Sequence, residues 1–353
     1  MGGGFMFLLR MNVLLLFFAF LLPRPVLAEA EYIGSDQCSE CHMAFYSSWN
    51  ASGHHLHLRK AEEARHASLA LPQGFSWEDV AYVIGGIKSK ALFIGQDGYI
   101  ITSAKNGSKA KTQYNLKDGS WSDYFPGEKK PYVCASCHTT GYSSDGHQNG
   151  RSGIVGTWQE DGIGCEACHG PGSEHAANPR IPLANTDSEA TCTTCHQRGG
   201  IDRRVLSDTG LVRHHEQINE LKAGPHMGLS CVNCHNPHRR AAQARDNCTV
   251  CHSRLYNVFK ESTHGKADIK CFECHMPELS ESAISRTNYI EGVRTHLFKI
   301  NIDPNANMFK VVEEDGIKST FTKGFVTVDI VCLNCHGSRD KAWAIKNAKD
   351  MHK

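Results

Sequence analysis

Between residues 231 and 275 the chain reads Cys231-Val-Asn-Cys234-His235, Cys248-Thr-Val-Cys251-His252 and Cys271-Phe-Glu-Cys274-His275. The same Cys-x-x-Cys-His pattern recurs outward on both sides, as Cys38/Cys41/His42, Cys134/Cys137/His138, Cys165/Cys168/His169, Cys192/Cys195/His196 and Cys332/Cys335/His336. These eight copies use all 16 cysteines of the 353-residue chain. The spacing is that of covalent c-type haem attachment, in which two thiols bond the porphyrin and the next histidine becomes the proximal iron ligand. A structural zinc site gathers four ligands and asks for no histidine behind each cysteine pair. A disulfide framework explains neither the fixed spacing nor the histidine. The cofactor expected is eight covalently attached haem c groups.

The starts of the first three motifs quoted lie 17 and 23 residues apart, too short for the chain to travel far between neighbouring porphyrins. The expected fold is therefore mainly irregular, with short α-helices around a shared haem core. Two longer gaps carry strand patterns. Before Cys134, Ala81-Tyr-Val-Ile, Ala91-Leu-Phe-Ile, Gly98-Tyr-Ile-Ile-Thr and Thr112-Gln-Tyr alternate with the turn signals Asp97-Gly98 and Asn106-Gly107. After Met308, Phe309-Lys-Val-Val and Phe325-Val-Thr-Val flank Asp315-Gly316. Both regions read as small β-hairpins covering haem edges, with Met308 a packing residue. The organisation expected is a signal peptide over 1–28, a four-haem region over 29–200 with a β-hairpin insertion near 78–125, and a second four-haem region over 201–353.

Arg10, the apolar run 12–22 and Val26-Leu27-Ala28 have the form of a secretory signal cleaved after Ala28. The run is shorter than the ~20 apolar residues that span a bilayer, so no stable membrane anchor is expected and the mature chain is placed in the periplasm or outside the cell. The formal charge of +1 falls to −1 without Arg10 and Arg24. Haem propionates carry it further negative. The dispersed lysines argue against a nucleic-acid partner.

Iron with two strong axial ligands passes electrons, whereas an open position binds substrate. Of 21 histidines, eight follow motif cysteines, so the remainder can supply every sixth ligand. Met43 and Met276 directly follow motif histidines and cannot cross the ring. Bis-histidine ligation at most sites, and low potentials, are expected. The distal ligands selected are His54, His175, His215, His226, His238, His264, His296 and His352, the last carried by a helix over 340–349. His55, His57, His66, His147 and His214 are left as spares; the clusters 54–57 and 214–215 stay unresolved.

With these residues in view, the chain resembles the multihaem cytochrome c family that includes the tetrahaem cytochrome c of ammonia oxidisers and the tetrahaem subunits of extracellular cytochrome filaments. The resemblance lies in Tyr32-Ile-Gly-Ser-x-x-Cys38 to His42, Trp49, Ser52-Gly53-His54, Cys134 to Tyr142 and Gly164-Cys-Glu-Ala-Cys-His-Gly-Pro-Gly-Ser-Glu-His175. The stretches 226–238 and 264–277 are similar to decahaem cytochromes that carry electrons through outer membranes. The resemblance implies distal roles for His54, His175, His226, His238 and His264. Eight motifs is neither four nor ten, so oligomeric behaviour is not carried over.

The function expected is an electron carrier between redox partner proteins, a quinol-side donor and a terminal or extracellular acceptor, with a homo-oligomer or filament left open. The alternative is an octahaem oxidoreductase of nitrite, hydroxylamine, tetrathionate or a similar compound, with one open haem site. No catalytic residue is assigned.

Overall fold

The computed structural model describes residues 30–183, 188–197, 206–208, 211–213, 216–239, 248–281 and 293–352. The proposed signal peptide and His215 lie outside them. Residues from Tyr32 to Lys353 form one compact unit.

The larger β-structure is a seven-stranded sheet: β1 (Leu58–Lys60), β2 (Val80–Gly85), β3 (Lys90–Gly95), β4 (Tyr99–Ile100), β5 (Gln113–Asn115), β6 (Trp121–Ser122) and β7 (Lys130–Pro131). Its path runs β1-β2-β3-β4-β7, while β5 joins β3 to β6. The turn before β4 is Asp97-Gly98. Gly98 adopts φ +88°, and a Cβ there would stand 2.9 Å from Arg151 Cβ and the Ile154 nitrogen. Alternation along β3 sends Leu92 and Ile94 to one face and Ala91 and Phe93 to the other. Both faces are buried. Leu58, Tyr82, Ile100, Tyr132, Ile154 and Trp158 fill one, and Ala61, Ala64, Val80, Val83 and Ile101 the other. This region is thus a two-sided sheet with its own core, wider than the expected hairpin insertion.

A short ladder, β8 (Thr139–Thr140) against β9 (Glu160–Asp161), follows the second motif and precedes the third. Towards the C-terminus, β10 (Leu206–Asp208), β11 (Leu211–Arg213), β12 (Glu278–Glu281), β13 (Val293–Arg294), β15 (Phe309–Glu314) and β16 (Ile317–Thr322) make a second sheet in the order β13-β12-β11-β10-β16-β15. The β15–β16 turn has φ 50° at Asp315 and 76° at Gly316, the two positive values of a hairpin turn whose twist matches its strands. The partner of Phe309–Glu314 is Ile317–Thr322 and not the 325–328 stretch, which the sequence reading selects. Val326–Thr327 (β17) pairs in parallel with β14 (Ile300–Asn301), and the chain then turns into the helix Val328–Leu333. Val212, Leu279, Leu297, Met308, Val326 and Val331 form the core here, so Met308 packs as an apolar residue.

The remaining structure is short helices and irregular chain. Among the described residues no helix is long and apolar enough to cross a membrane.

Candidate haem centres

The Cys-x-x-Cys-His motifs share one backbone device. The first cysteine's carbonyl accepts the histidine amide at His196 (2.9 Å), His235 (2.8 Å), His252 (2.9 Å) and His336 (2.9 Å). One helical turn thereby brings the two thiols and the imidazole to the same face. In the first motif the turn belongs to the helix Ser35–Asn50, which breaks its regular geometry at His42 (φ −114°, ψ 38°).

The motif thiols differ in depth, and four of them stand apart from the rest. Cys41, Cys234, Cys251 and Cys335 are exposed, whereas the other motif cysteines are half-buried. Each of the four is the second cysteine of its motif, and its first cysteine (Cys38, Cys231, Cys248 or Cys332) is among the half-buried ones. The physical reason is where these turns sit. Residues 41–45, 232–237 and 250–258 run along the surface, and the chain is exposed again from Gly337, just after Cys335 and His336. Such a turn tucks its first thiol against the protein and leaves the second at the rim.

The first and third motifs are built as one unit. Glu166, the residue after Cys165, is 3% exposed. Its carboxylate accepts the amides of Ile33 (3.0 Å), Gly34 (2.8 Å) and Gly172 (2.7 Å). Ser35 donates its hydroxyl to Glu160 (2.9 Å) and accepts the Cys165 amide (2.9 Å). The stretches 32–42 and 164–175 are therefore two sides of one hydrogen-bonded joint. Other motifs also abut: Cys137 stands in hydrogen-bonding reach of Cys195, and Cys231 of Cys192.

The histidine rings pair across space. The ring centroids of His42 and His175 are 6.2 Å apart, His138 and His57 5.5 Å, and His169 and His238 6.2 Å. His235 and His296 are 6.1 Å apart, His252 and His226 5.9 Å, His275 and His352 5.9 Å, and His336 and His264 6.0 Å. Each of these seven pairs joins a motif histidine to a non-motif one. A metal–imidazole nitrogen bond of about 2.0 Å, with about 1.1 Å more to each ring centre, puts two rings on opposite sides of one metal about 6.2 Å apart.

Protonation fits as well. The Nδ1 atoms of His175, His275 and His138 face the backbone carbonyls of Ile181 (2.7 Å), Phe298 (2.8 Å) and His57 (3.4 Å). A carbonyl only accepts, so Nδ1 carries the proton and Nε2 keeps the lone pair a metal needs. Burial pushes the His57 imidazole down to about 3, with His138 adding to the effect, and His54 down to about 4, with His196 adding. Both rings are neutral at physiological pH.

His54, His175, His226, His238, His264, His296 and His352 can thus be located. All but His54 stand opposite a motif ring. His54 lies 6.1 Å from His57 and within the electrostatic reach of His196, whose Nδ1 meets Gln217 Oε1 at 3.3 Å. His57, a spare in the sequence reading, is brought to His138. The local reason is a 3₁₀ turn over His54–Leu56. Such a turn puts residues three apart on one side, so His54 and His57 emerge together while His55 turns to Trp49 at 5.2 Å. His66 is exposed and stands opposite no motif ring among the described residues, and His147 contacts the Ile154 carbonyl.

Comparison with known proteins agrees. Residues 101–170 match the family profile described as "Cytochrome c554 and c-prime", a span holding the second and third motifs. The dissimilatory sulfite reductase MccA of Wolinella succinogenes is 21% identical over 400 residues, covering 78% of this chain and 55% of that protein. The multihaem cytochrome MtrA of Shewanella baltica is 26% identical over 153 residues, covering 36% of this chain and 41% of MtrA. The chain is a multihaem c-type cytochrome. It spans about half the length of these curated relatives. Its fold is shared with the octahaem sulfite reductase MccA of Wolinella succinogenes (TM-score 0.64, 19% identity, 86% of this chain and 65% of that one). The outer cell wall cytochrome OcwA has the same likeness (TM-score 0.60, 18% identity, 91% and 86%). Short helices, strands and irregular chain are what these cytochromes and this one have in common, and haem c with electron transfer is the chemistry of the class.

Proposed function

We propose that this cytochrome is exported, holds eight haem c groups, and carries electrons between a membrane-side donor and a terminal or extracellular acceptor through mostly bis-histidine, low-potential centres. The observation that carries the reading is the set of seven imidazole pairs, each with one motif histidine. Haem c supplies a one-electron iron couple whose potential follows its axial ligands and burial. In each pair the motif histidine and its partner would hold one haem iron between them, and a centre held so by two imidazoles would pass electrons without binding a substrate. Carbonyls at Nδ1 of His138, His175 and His275 fix the orientation of those three rings. The abutting cysteine pairs of neighbouring motifs keep successive centres close enough for transfer. His54 is assigned to the His196 centre.

The test is spectroscopy of the purified holoprotein. A haem count of eight, low-spin ferric signals throughout and an unchanged ferrous spectrum under carbon monoxide are expected. A high-spin, carbon monoxide-binding haem would overturn the carrier reading. A second reading, an oxidoreductase of a sulfur or nitrogen compound, is favoured by the similarity to MccA along 78% of the chain. It predicts that sulfite, nitrite, hydroxylamine or tetrathionate oxidises the dye-reduced protein catalytically.

A further inference from the structure

The helix Gln217–Ala223 carries no cysteine and no histidine, yet buried polar residues crowd its first turn. Glu216 is 2% exposed, Asn219 1% and Glu220 1%. One carboxylate oxygen of Glu220, Oε2, accepts the backbone amide of His296. The same oxygen stands 3.7 Å from His296 Nδ1. Glu220 Oε1 and His296 Nδ1 are both buried without a hydrogen-bond partner. A buried, unpartnered ring nitrogen thus stands 3.7 Å from Oε2 of a buried carboxylate whose other oxygen is unpartnered too. On its other side the His296 ring addresses His235. Among the described residues no other member of a ring pair has a carboxylate this close to its ring nitrogen. His175, His275 and His138 meet neutral carbonyls.

We infer that Glu220 is a positioning residue that sets the reduction potential of the His235/His296 centre, by taking the Nδ1 proton of His296 into a hydrogen bond and making its imidazole a stronger donor. A carboxylate behind a ligating histidine fixes its tautomer and raises its basicity. The stronger donor favours the ferric state, and the potential falls. No bond to iron is made or broken, and one electron enters or leaves the centre as at its neighbours. The same helix presents Gln217, an uncharged amide, to Nδ1 of His196. Cys192 and Cys231 place these two centres side by side. One turn of helix therefore builds a step between neighbours, with the His235/His296 centre the lower.

The inference rests on the pairing of His235 with His296 around one iron, and the test separates the two. In the holoprotein His296→Ala should create one high-spin, carbon monoxide-binding haem; if all remain low-spin, the pairing itself fails. Glu220→Gln keeps an oxygen for the His296 amide but removes the charge. It should leave every haem low-spin while shifting the ferric/ferrous equilibrium of one centre at least tenfold towards ferrous, which is 59 mV for a one-electron couple. Gln217→Glu should shift a different centre in the opposite direction. A Glu220→Gln protein with full haem content and unchanged potentials would overturn the assignment. Should that variant fail to load haem, Gln217→Glu decides alone, and unchanged potentials there count against it.

Discussion

A single imidazole decides whether a centre is closed. His57 faces His138 at 5.5 Å and is held neutral by burial, so His57→Ala should leave the second motif's haem attached through its thioethers but five-coordinate. One haem equivalent should then bind carbon monoxide, against none in the parent. Glu166 is a different sort of residue, because both its oxygens are committed to backbone amides. Charge-assisted bonds of this kind contribute about 1.5–3 kcal/mol each. Glu166→Ala should therefore destabilise the joint between the first and third motifs by at least about 3 kcal/mol, read as a lower denaturant midpoint. Gln is no rescue, since its NH₂ would face an amide donor. At this scale the motif residues are legible in the sequence because thioether chemistry demands fixed spacing. Their depth is not: spacing treats Cys38 and Cys41 alike, and only the packed chain turns one inward and the other to the rim. Distal partners are hidden too, since His175 reaches His42 only after the chain has folded back. The 54–57 cluster needed the 3₁₀ turn, a local signal that three closely spaced histidines hide.

The elements matter for how they aim the motifs. The β8–β9 ladder pins the end of the second motif to the approach to the third, and it carries the adjacent acids Glu160 and Asp161. Burial pushes the Asp161 carboxyl up, opposed by the Trp158 indole, which donates to it at 2.6 Å. A carboxyl raised in the folded state binds its proton more tightly there than when unfolded. The folded state therefore loses stability as pH rises from the ordinary carboxylate range through the raised value. Asp161→Asn keeps the indole's acceptor and removes this term. It should raise Tm by about 2 °C at pH 7 and flatten its dependence on pH in the acid range. The partly exposed Lys60, 4.0 Å away, offsets little of this. Strand patterns over 80–115 were readable because β2 and β3 are apolar on both faces and Asp-Gly marks the turn. The C-terminal error arose because β16, Ile-Lys-Ser-Thr-Phe-Thr, is largely polar outward and hides its pairing, while the more apolar Phe325-Val-Thr-Val serves β14 and a helix start.

At the scale of the molecule, the apolar clusters among the described residues are small, and two of the three belong to the first sheet. The short motif spacings already imply that porphyrins complete the interior, since so few aliphatic residues cannot. A chain produced without haem attachment should keep slow amide exchange in β2 and β3 alone, with motif helices exchanging freely. Hydrogen-exchange mass spectrometry of apo and holo forms would show this, and uniform protection in the apo form would contradict it.

The imidazole pairs overlap along the chain: 42 with 175, 169 with 238, 235 with 296, 264 with 336 and 275 with 352. Closed by iron, each span becomes a ring, and each ring interlocks with the next from residue 42 to residue 352. A protease that cuts one peptide bond anywhere in that range opens a ring without freeing a fragment. The nicked protein should run as intact on a native gel and fall apart only when the irons lose their ligands.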